Sequence, residues 1–164
     1  MRILFVSIVF CLSLLIGCST TPPVEDAIRV ATTAKKIQYD VMNPTEIRST
    51  EQIIERIDAL KPYYTEKALS SLAANREPTL PVDVAWRQKA NLSVQNVSLS
   101  NQTEEGKEDT FTFHYIVEIQ IRYLDGSASK EIQVNGQMDL IQEDGTWRIS
   151  RDWNDGSLAK ELQP

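Results

Sequence analysis

The spacing of apolar residues changes midway along the chain, from the period of a helix to the period of a strand. Apolar residues recur every three or four positions over residues 24–42, which predicts a helix with one buried stripe. Ser49-Thr50-Glu51-Gln52 has the pattern of a capping box and predicts the start of a second helix. A third helix is expected to start at Pro62. Residues 82–90 fit either a short helix or an irregular approach to a strand, with Trp86 filling the core.

From residue 92 onwards apolar and polar residues alternate, as they do in strands that bury one face. The first strand covers residues 92–99, with a bulge expected near Asn96 because the alternation shifts there by one position. The longest alternating segment covers residues 111–123. Asp125-Gly126 and Asp144-Gly145 predict turns into a third and a fourth strand. The pattern therefore predicts an antiparallel sheet of about four strands in chain order.

The last hairpin has a register that the pattern specifies. A two-residue turn at Asp144-Gly145 places Ile149 opposite Leu140, Arg151 opposite Met138 and Trp153 opposite Gly136. This register puts Arg151 and Trp153 on the inward face of the sheet, with the large indole beside a residue that has no side chain.

The preceding hairpin allows two registers. A four-residue loop pairs Arg122 with Glu131 and His114 with Asp139. A two-residue loop instead opposes Arg122 to Ser129. Both registers keep apolar residues opposite apolar residues, so the pattern does not choose between them.

The start of the chain has the composition of a secretory signal sequence. Arg2 precedes an apolar run from Ile3 to Ile16, and the sequence becomes polar directly after Cys18. This run is shorter than the roughly 20 residues that span a membrane, and the small residue Gly17 follows it, as is typical of a signal-peptide cleavage site. Its last residues, Leu15-Ile16-Gly17-Cys18, resemble the lipobox of bacterial lipoproteins.

This resemblance implies that cleavage follows Gly17 and that Cys18 receives a diacylglyceryl group and becomes the acylated N-terminus. The chain is then expected to divide into a signal peptide (1–17), a tether (18–23), one domain (24–157) and a polar tail (158–164). At roughly 3.3 Å per residue, the tether reaches only about 20 Å, so the domain is expected to lie close to the membrane.

Helices followed by an antiparallel meander predict an α+β fold with the helices on one face of the sheet. The end of the chain, from Gly136-Gln137-Met138-Asp139-Leu140 to Asp144-Gly145-Thr146-Trp147-Arg148-Ile149 and Trp153, resembles the nuclear transport factor two-like, or ketosteroid-isomerase-like, superfamily. The resemblance implies a strongly curved, cone-like sheet wrapped around the helices, with space for a cavity between them.

Composition excludes several classes of function. The chain has 17 basic and 23 acidic residues and a net charge of -6, which argues against nucleic acid as a partner and against electrostatic adhesion to anionic lipid. Of the two cysteines, Cys11 lies in the signal sequence and Cys18 is assigned to the lipid. That assignment excludes disulfides, zinc–thiolate sites and cysteine nucleophiles in the domain. With His114 as the one histidine, a histidine-rich metal centre is impossible, and no metal or cofactor is expected.

Three polar-tipped residues are predicted on the inward faces of the strands and are the candidates for lining a pocket: Tyr115, Tyr123 and Arg151. No carboxylate is predicted among them, so we assign no catalytic residue. Arg151 could anchor an anion, but packing along the indoles of neighbouring tryptophans is favoured. His114 could act in acid–base chemistry with an aspartate, but an exposed position on the polar face is favoured.

These patterns favour a non-catalytic interaction or accessory module on the extracytoplasmic face of a bacterial membrane. Its expected partners are the lipid bilayer, through Cys18, and another envelope or membrane protein. One alternative is a cone that binds a small molecule with Tyr115, Tyr123 and Arg151. A less favoured alternative is a lyase, isomerase or hydrolase, which rests on analogy of fold and would gain support from a buried carboxylate or from His114 in a closed pocket.

Overall fold

A computed structural model describes residues 23–45, 49–103 and 109–163. Cys18 and the predicted signal and tether up to residue 22 lie outside these ranges. The structure has five helices and four strands within them: α1 (Pro23–Tyr39), α2 (Thr50–Leu60), α3 (Glu66–Ala74), α4 (Leu80–Gln88), β1 (Ala90–Asn101), β2 (Thr110–Tyr123), β3 (Lys130–Glu143), β4 (Thr146–Asn154) and the short α5 (Ser157–Lys160). The predicted α+β fold is confirmed: helices pack on a curved, four-stranded antiparallel sheet of order β1-β2-β3-β4.

Small residues allow α1 to approach the sheet closely. Ala27, Ala31 and Ala34 lie on one stripe of this helix and are fully buried. The C-terminal end of α1 is held by Arg56 of α2, whose guanidinium donates to the main-chain oxygens of Ile37, Gln38 and Asp40 at 3.3, 3.0 and 3.1 Å. Burial lowers the pKa of this guanidinium, and the nearby charge of Asp40 opposes that shift. These contacts fix the turn of α1 that carries the polar residues described below.

The other helices confirm part of the sequence analysis and correct part of it. The capping box is confirmed, since Ser49 Oγ accepts from the Gln52 amide and the Gln52 side chain accepts from the Ser49 amide, both at 3.2 Å. The third helix begins at Glu66 with Thr65 as its N-cap, so the start expected at Pro62 is wrong. The ambiguous segment forms α4. Trp86 lies on the outer side of that helix and is 44% exposed, so its predicted role in the core is also wrong.

In the β2–β3 hairpin, Ile121 lies opposite Lys130, which is the register that opposes Arg122 to Ser129. The alternative pairing of His114 with Asp139 is therefore wrong. His114 lies opposite Gln137 and is exposed on the outer face of the sheet. In β1 the predicted bulge is confirmed between Val94 and Asn96.

The β3–β4 hairpin contains a second bulge, which the sequence analysis missed. Ile149 lies opposite Leu140 as predicted, but the register then shifts, so that Arg151 pairs with Asp139 and Trp153 pairs with Gln137. The extra residue is Ser150, whose hydroxyl donates to the Asp139 carbonyl at 3.2 Å. Because one inserted residue reverses the faces of all residues after it, Arg151 and Trp153 lie on the outer face and Asp152, opposite Met138, points inward.

The helices cover the inward face of the sheet, where Phe113, Tyr115, Val117, Ile119 and Ile121 of β2 alternate inward and are almost fully buried. The end of the chain also packs on this body. Leu158 of α5 is buried, and Gln88 of α4 donates to the Glu161 carbonyl at 3.0 Å.

Gly136 leaves space for the ring of Tyr115, which lies opposite it in the sheet. A Cβ at residue 136 would lie 2.2 Å from the Trp153 carbonyl oxygen and 2.3 Å from Cζ of Tyr115. Neither neighbour can move away easily, because the oxygen belongs to the main chain of β4 and the Tyr115 ring is buried. Gly136→Ala should therefore lower the free energy of unfolding by about 3 kcal/mol. Urea denaturation measures this loss. Asn135→Ala, an exposed change at the adjacent position of β3, is the control, and equal losses in the two variants would contradict the steric explanation.

Candidate functional site

Five polar residues from four parts of the chain meet in the interior and form what we call the buried polar cluster: Lys35, Gln38, Tyr64, Tyr115 and Asp152. Lys35 and Gln38 lie one turn apart on α1, Tyr64 precedes α3, and the other two come from β2 and β4. The Lys35 side chain is 0% exposed and that of Asp152 is 3% exposed. The cluster therefore joins the helical layer to the sheet through a desolvated ion pair.

The carboxylate of Asp152 is the centre of the cluster. Its Oδ2 accepts from Lys35 Nζ and from the Tyr64 hydroxyl, both at 2.6 Å. Its Oδ1 lies 3.1 Å from the Tyr115 hydroxyl, which is also 3.1 Å from the Trp153 carbonyl. Both oxygens of this nearly buried carboxylate thus have hydrogen-bond donors within the protein.

The ammonium of Lys35 is equally well satisfied. Besides Asp152, its Nζ lies 3.1 Å from Oε1 of Gln38 and 3.1 Å from the Tyr115 hydroxyl, so each of its three protons has an acceptor. The same Nζ lies 4.2 Å from the centre of the Tyr115 ring, within the range of a cation–π contact. Two buried polar atoms, Nε2 of Gln38 within the cluster and the hydroxyl of the neighbouring Tyr39, have no hydrogen-bond partner within the described ranges.

Burial shifts the proton affinities of these groups. It lowers the pKa of Lys35, and the charge and hydrogen bond of Asp152 oppose that shift. It raises the pKa of Tyr64 and Tyr115, and the nearby Asp152 carboxylate raises both further. Tyr39 has a raised pKa for the same two reasons, burial first. The hydroxyls of Tyr64 and Tyr115 thus stay protonated and donate, and the hydroxyl of Tyr39 also stays protonated; none of the three is available as a phenolate.

The three residues predicted to line a pocket do not meet at one place. Tyr115 belongs to the buried polar cluster, whereas Tyr123 lies opposite Ala90 at the far end of β2 and is half-buried. Arg151 lies on the outer face, 60% exposed, with its Nε 2.9 Å from Oδ2 of Asp139. The expected inward position of Arg151 is wrong, because the bulge at Ser150 reverses its face.

Sequence reasoning missed four members of the cluster: Lys35, Gln38, Tyr64 and Asp152. Lys35 directly follows Ala34 of the buried stripe, so its position one residue from that stripe was a usable signal. Asp152 carries no such signal, because its face depends on the bulge. Within the described ranges, no group of three or more histidine, cysteine, aspartate and glutamate side chains is placed to hold a metal ion.

A groove with a volume of about 440 Å³ lies between α3 and the outer edge of β4, and we call it the α3–β4 groove. One wall is formed by one face of α3 and the turn after it, with Lys67, Ala68, Ser71, Leu72, Asn75 and Glu77. The other wall is formed by five consecutive residues of β4, Ser150 to Asn154. Asp152 belongs to both places, so the buried polar cluster lies directly behind the groove.

No helix within the described part of the chain is both long enough and apolar enough to cross a bilayer.

The sequence matches no protein-family model and no curated protein. Several solved structures share the fold. An IcmL-like type IV secretion system protein from Legionella pneumophila is 6% identical and has a TM-score of 0.57, covering 80% of this chain and 90% of its own. CagV, a VirB8 homologue of the type IV secretion system of Helicobacter pylori, is 10% identical with a TM-score of 0.53, covering 78% and 95%. A periplasmic fragment of TraM is 12% identical with a TM-score of 0.51, covering 80% and 96%. At these identities the likeness extends to the fold alone.

Proposed function

We propose that this chain is a lipid-anchored, extracytoplasmic module that binds another protein of the bacterial envelope and catalyses no reaction. The observation that carries this proposal is the filled interior. Lys35, Tyr39, Tyr64 and Tyr115 occupy the space between helices and sheet, each at most 1% exposed. A domain whose interior is closed in this way acts through its outer surface.

The shared fold supports the location and the type of task. One solved structure of this fold is a periplasmic fragment, and two others belong to type IV secretion systems, which are envelope assemblies. The predicted signal peptide, residues 1–17, and the cysteine directly after it support export and lipidation independently.

A buried carboxylate was one of the two features that would support an enzyme, and Asp152 provides one. Its hydrogen bonds nevertheless argue against a catalytic role. A general base needs a lone pair that reaches a substrate. Both oxygens of Asp152 already accept hydrogen bonds from Lys35, Tyr64 and Tyr115. His114 is exposed on the outer face of the sheet and does not meet the second condition.

Photo-crosslinking in intact cells tests the interaction. The full chain would carry a photoreactive residue at one of a series of exposed positions, and adducts would be identified after irradiation. We expect adducts with a particular envelope or membrane protein from neighbouring positions on one surface. An absence of protein adducts from every surface would contradict the proposal.

The lipid anchor has its own prediction. Cys18→Ala removes the thiol that would be acylated, so the protein should leave the membrane fraction or accumulate as an uncleaved precursor. Cell fractionation followed by immunoblotting distinguishes these outcomes. Cys11→Ala, within the apolar run of the signal, is the matched control and should remain at the membrane. Unchanged, cleaved, membrane-bound protein from Cys18→Ala would contradict lipid anchoring.

A further inference from the structure

The two walls of the α3–β4 groove run side by side in the same direction. At one end, the amide of Thr65, the N-cap of α3, donates to the Ile149 carbonyl at 2.9 Å. At the other end, the Asn154 side chain donates to Oε2 of Glu77 at 2.9 Å. At roughly 3.3 Å per residue, the strand between these contacts is about 17 Å long, which matches an extended segment of about five residues.

The edge of β4 already pairs with extended chain at the start of the groove. The Ile149 amide donates to the Tyr63 carbonyl at 2.8 Å, and Tyr64 forms a parallel bridge with Ile149. The chain then turns away from β4 into α3. Within the described ranges, β4 is the last strand of the sheet, and no strand continues along its outer edge beyond Ile149.

Main-chain groups of β4 face the groove. The amide and carbonyl of Ile149 point away from β3, whereas the amide of Asp155 faces β3 and donates to the Asn135 carbonyl at 2.9 Å. In an antiparallel pair, the main-chain amides and carbonyls of successive residues point alternately toward the neighbouring strand and away from it. The bulge at Ser150 interrupts this alternation by one residue. This alternation directs the main-chain amides and carbonyls of Asp152 and Asn154 to the outer edge.

The groove carries opposite charges at its two ends. Lys67 lies in the first turn of α3, beside the start of the groove, and Glu77 lies at its far end. Neither residue forms an ion pair with any described residue. The other two charges of the lining are compensated, Asp152 by Lys35 and Arg151 by Asp139. A ligand therefore meets one cation and one carboxylate that no ion pair neutralises, separated by most of the length of the groove, although Glu77 also accepts the hydrogen bond from Asn154.

We propose that the α3–β4 groove binds an extended segment of the partner protein as a fifth strand, antiparallel to β4. This inference rests on the proposed function, because it requires a protein partner. Antiparallel pairing matches every other strand pair of the sheet and is the more stable arrangement. The charges then select a segment with a basic residue near Glu77 and, about four residues later, an acidic residue near Lys67.

Synthetic peptides test the inference directly. The probe is a ten-residue peptide of alternating valine and threonine, with lysine at position 3 and glutamate at position 7 and a fluorophore at one end. Its two controls have the charges exchanged or alternate main-chain amides methylated. Fluorescence anisotropy with the full chain in detergent micelles should show binding of the first peptide at least tenfold tighter than that of either control. Equal binding of the methylated peptide would overturn strand addition, and equal binding of the charge-exchanged peptide would overturn the proposed direction.

Two adjacent serines of α3 provide a matched pair of variants. Ser71 lines the groove and Ser70 does not, and both are exposed. Ser71→Trp should fill the groove and weaken peptide binding at least tenfold, whereas Ser70→Trp should bind like the unchanged protein. The same two variants separate this inference from the proposed function in cells. Partner crosslinks that persist in Ser71→Trp would refute the groove as the docking site and leave the proposed function standing, and a loss confined to Ser71→Trp would support both.

Discussion

Asp152→Asn is expected to lower the free energy of unfolding by about 3 to 5 kcal/mol. The substitution keeps the size of the side chain but removes the negative charge. Lys35, which is 0% exposed, is then left as a buried cation without its counter-ion. An amide can accept hydrogen bonds through one atom only, so the two oxygens that receive Lys35, Tyr64 and Tyr115 are no longer both acceptors.

Urea denaturation at neutral pH measures this effect, and a surface ion pair on the same hairpin is the control. Asp139 pairs with Arg151 at 2.9 Å, but the arginine side chain is 60% exposed, so Asp139→Asn should cost at most about 1 kcal/mol. If both variants lost the same amount, the buried polar cluster would have no special role in stability.

Replacing both Lys35 and Asp152 separates the destabilisation caused by an unpaired buried charge from the stabilisation that the ion pair itself provides. Lys35→Met combined with Asp152→Leu fills similar volumes with apolar atoms and leaves neither charge behind. Because desolvation offsets much of the attraction within a buried ion pair, this double variant should be more stable than Asp152→Asn. A double variant less stable than Asp152→Asn would show that the ion pair, together with the hydrogen bonds that Tyr64 and Tyr115 donate to it, provides most of the stabilisation.

Stability is also expected to fall steeply above about pH 10. Burial raises the pKa of Tyr39, Tyr64 and Tyr115 in the folded state, so their hydroxyls stay protonated while tyrosines of the unfolded chain ionise. The folded state then holds more protons than the unfolded state, and its stability falls as the pH rises. Each tyrosine contributes up to about 1.4 kcal/mol per pH unit, or up to about 4 kcal/mol per unit for the three together.

Ionisation of Lys35 has the opposite effect on stability over a limited range of pH. Its pKa is lowered by burial, so between that lowered pKa and the ordinary value of 10.5 the unfolded chain holds the extra proton, and stability rises with pH. This contribution ends near pH 10.5, above which the tyrosines act alone. The decline should therefore be steepest beyond pH 10.5.

Tyr39→Phe tests this explanation with little disturbance of the fold. The Tyr39 hydroxyl is buried and has no hydrogen-bond partner among the described residues, so its removal should leave stability at pH 7 unchanged or slightly higher. The slope of stability against pH above 10.5 should fall by about a third, as urea denaturation across pH 9 to 12 would show. An unchanged slope would mean that Tyr39 ionises equally in both states.

The sequence predicted the fold well because its signals were local and repeated. The alternation of residues 111–123, the capping box at Ser49 and the bulge near Asn96 each appear in the sequence as a pattern over several residues, and each is confirmed. The predicted core position of Trp86 is wrong, because a single large apolar residue does not indicate which side of a short helix packs on the core.

The candidate site was not predictable to the same extent, because its residues depend on one insertion. Without the bulge at Ser150, Arg151 would point inward and Asp152 outward, as the sequence suggested. With it, a carboxylate replaces a guanidinium in the interior, and Lys35 of α1 becomes its partner across 117 positions of sequence. No local pattern encodes such a contact.

Lipid anchoring at Cys18 is the central claim of the proposed function, and the intact mass of the mature chain tests it most directly. The protein would be extracted from the membrane fraction with detergent, its mass measured, and its N-terminal peptide fragmented. The account predicts a chain that starts at Cys18 and carries a diacylglyceryl group on Sγ. A mature chain that starts elsewhere, with the thiol of Cys18 removed or unmodified, would contradict it.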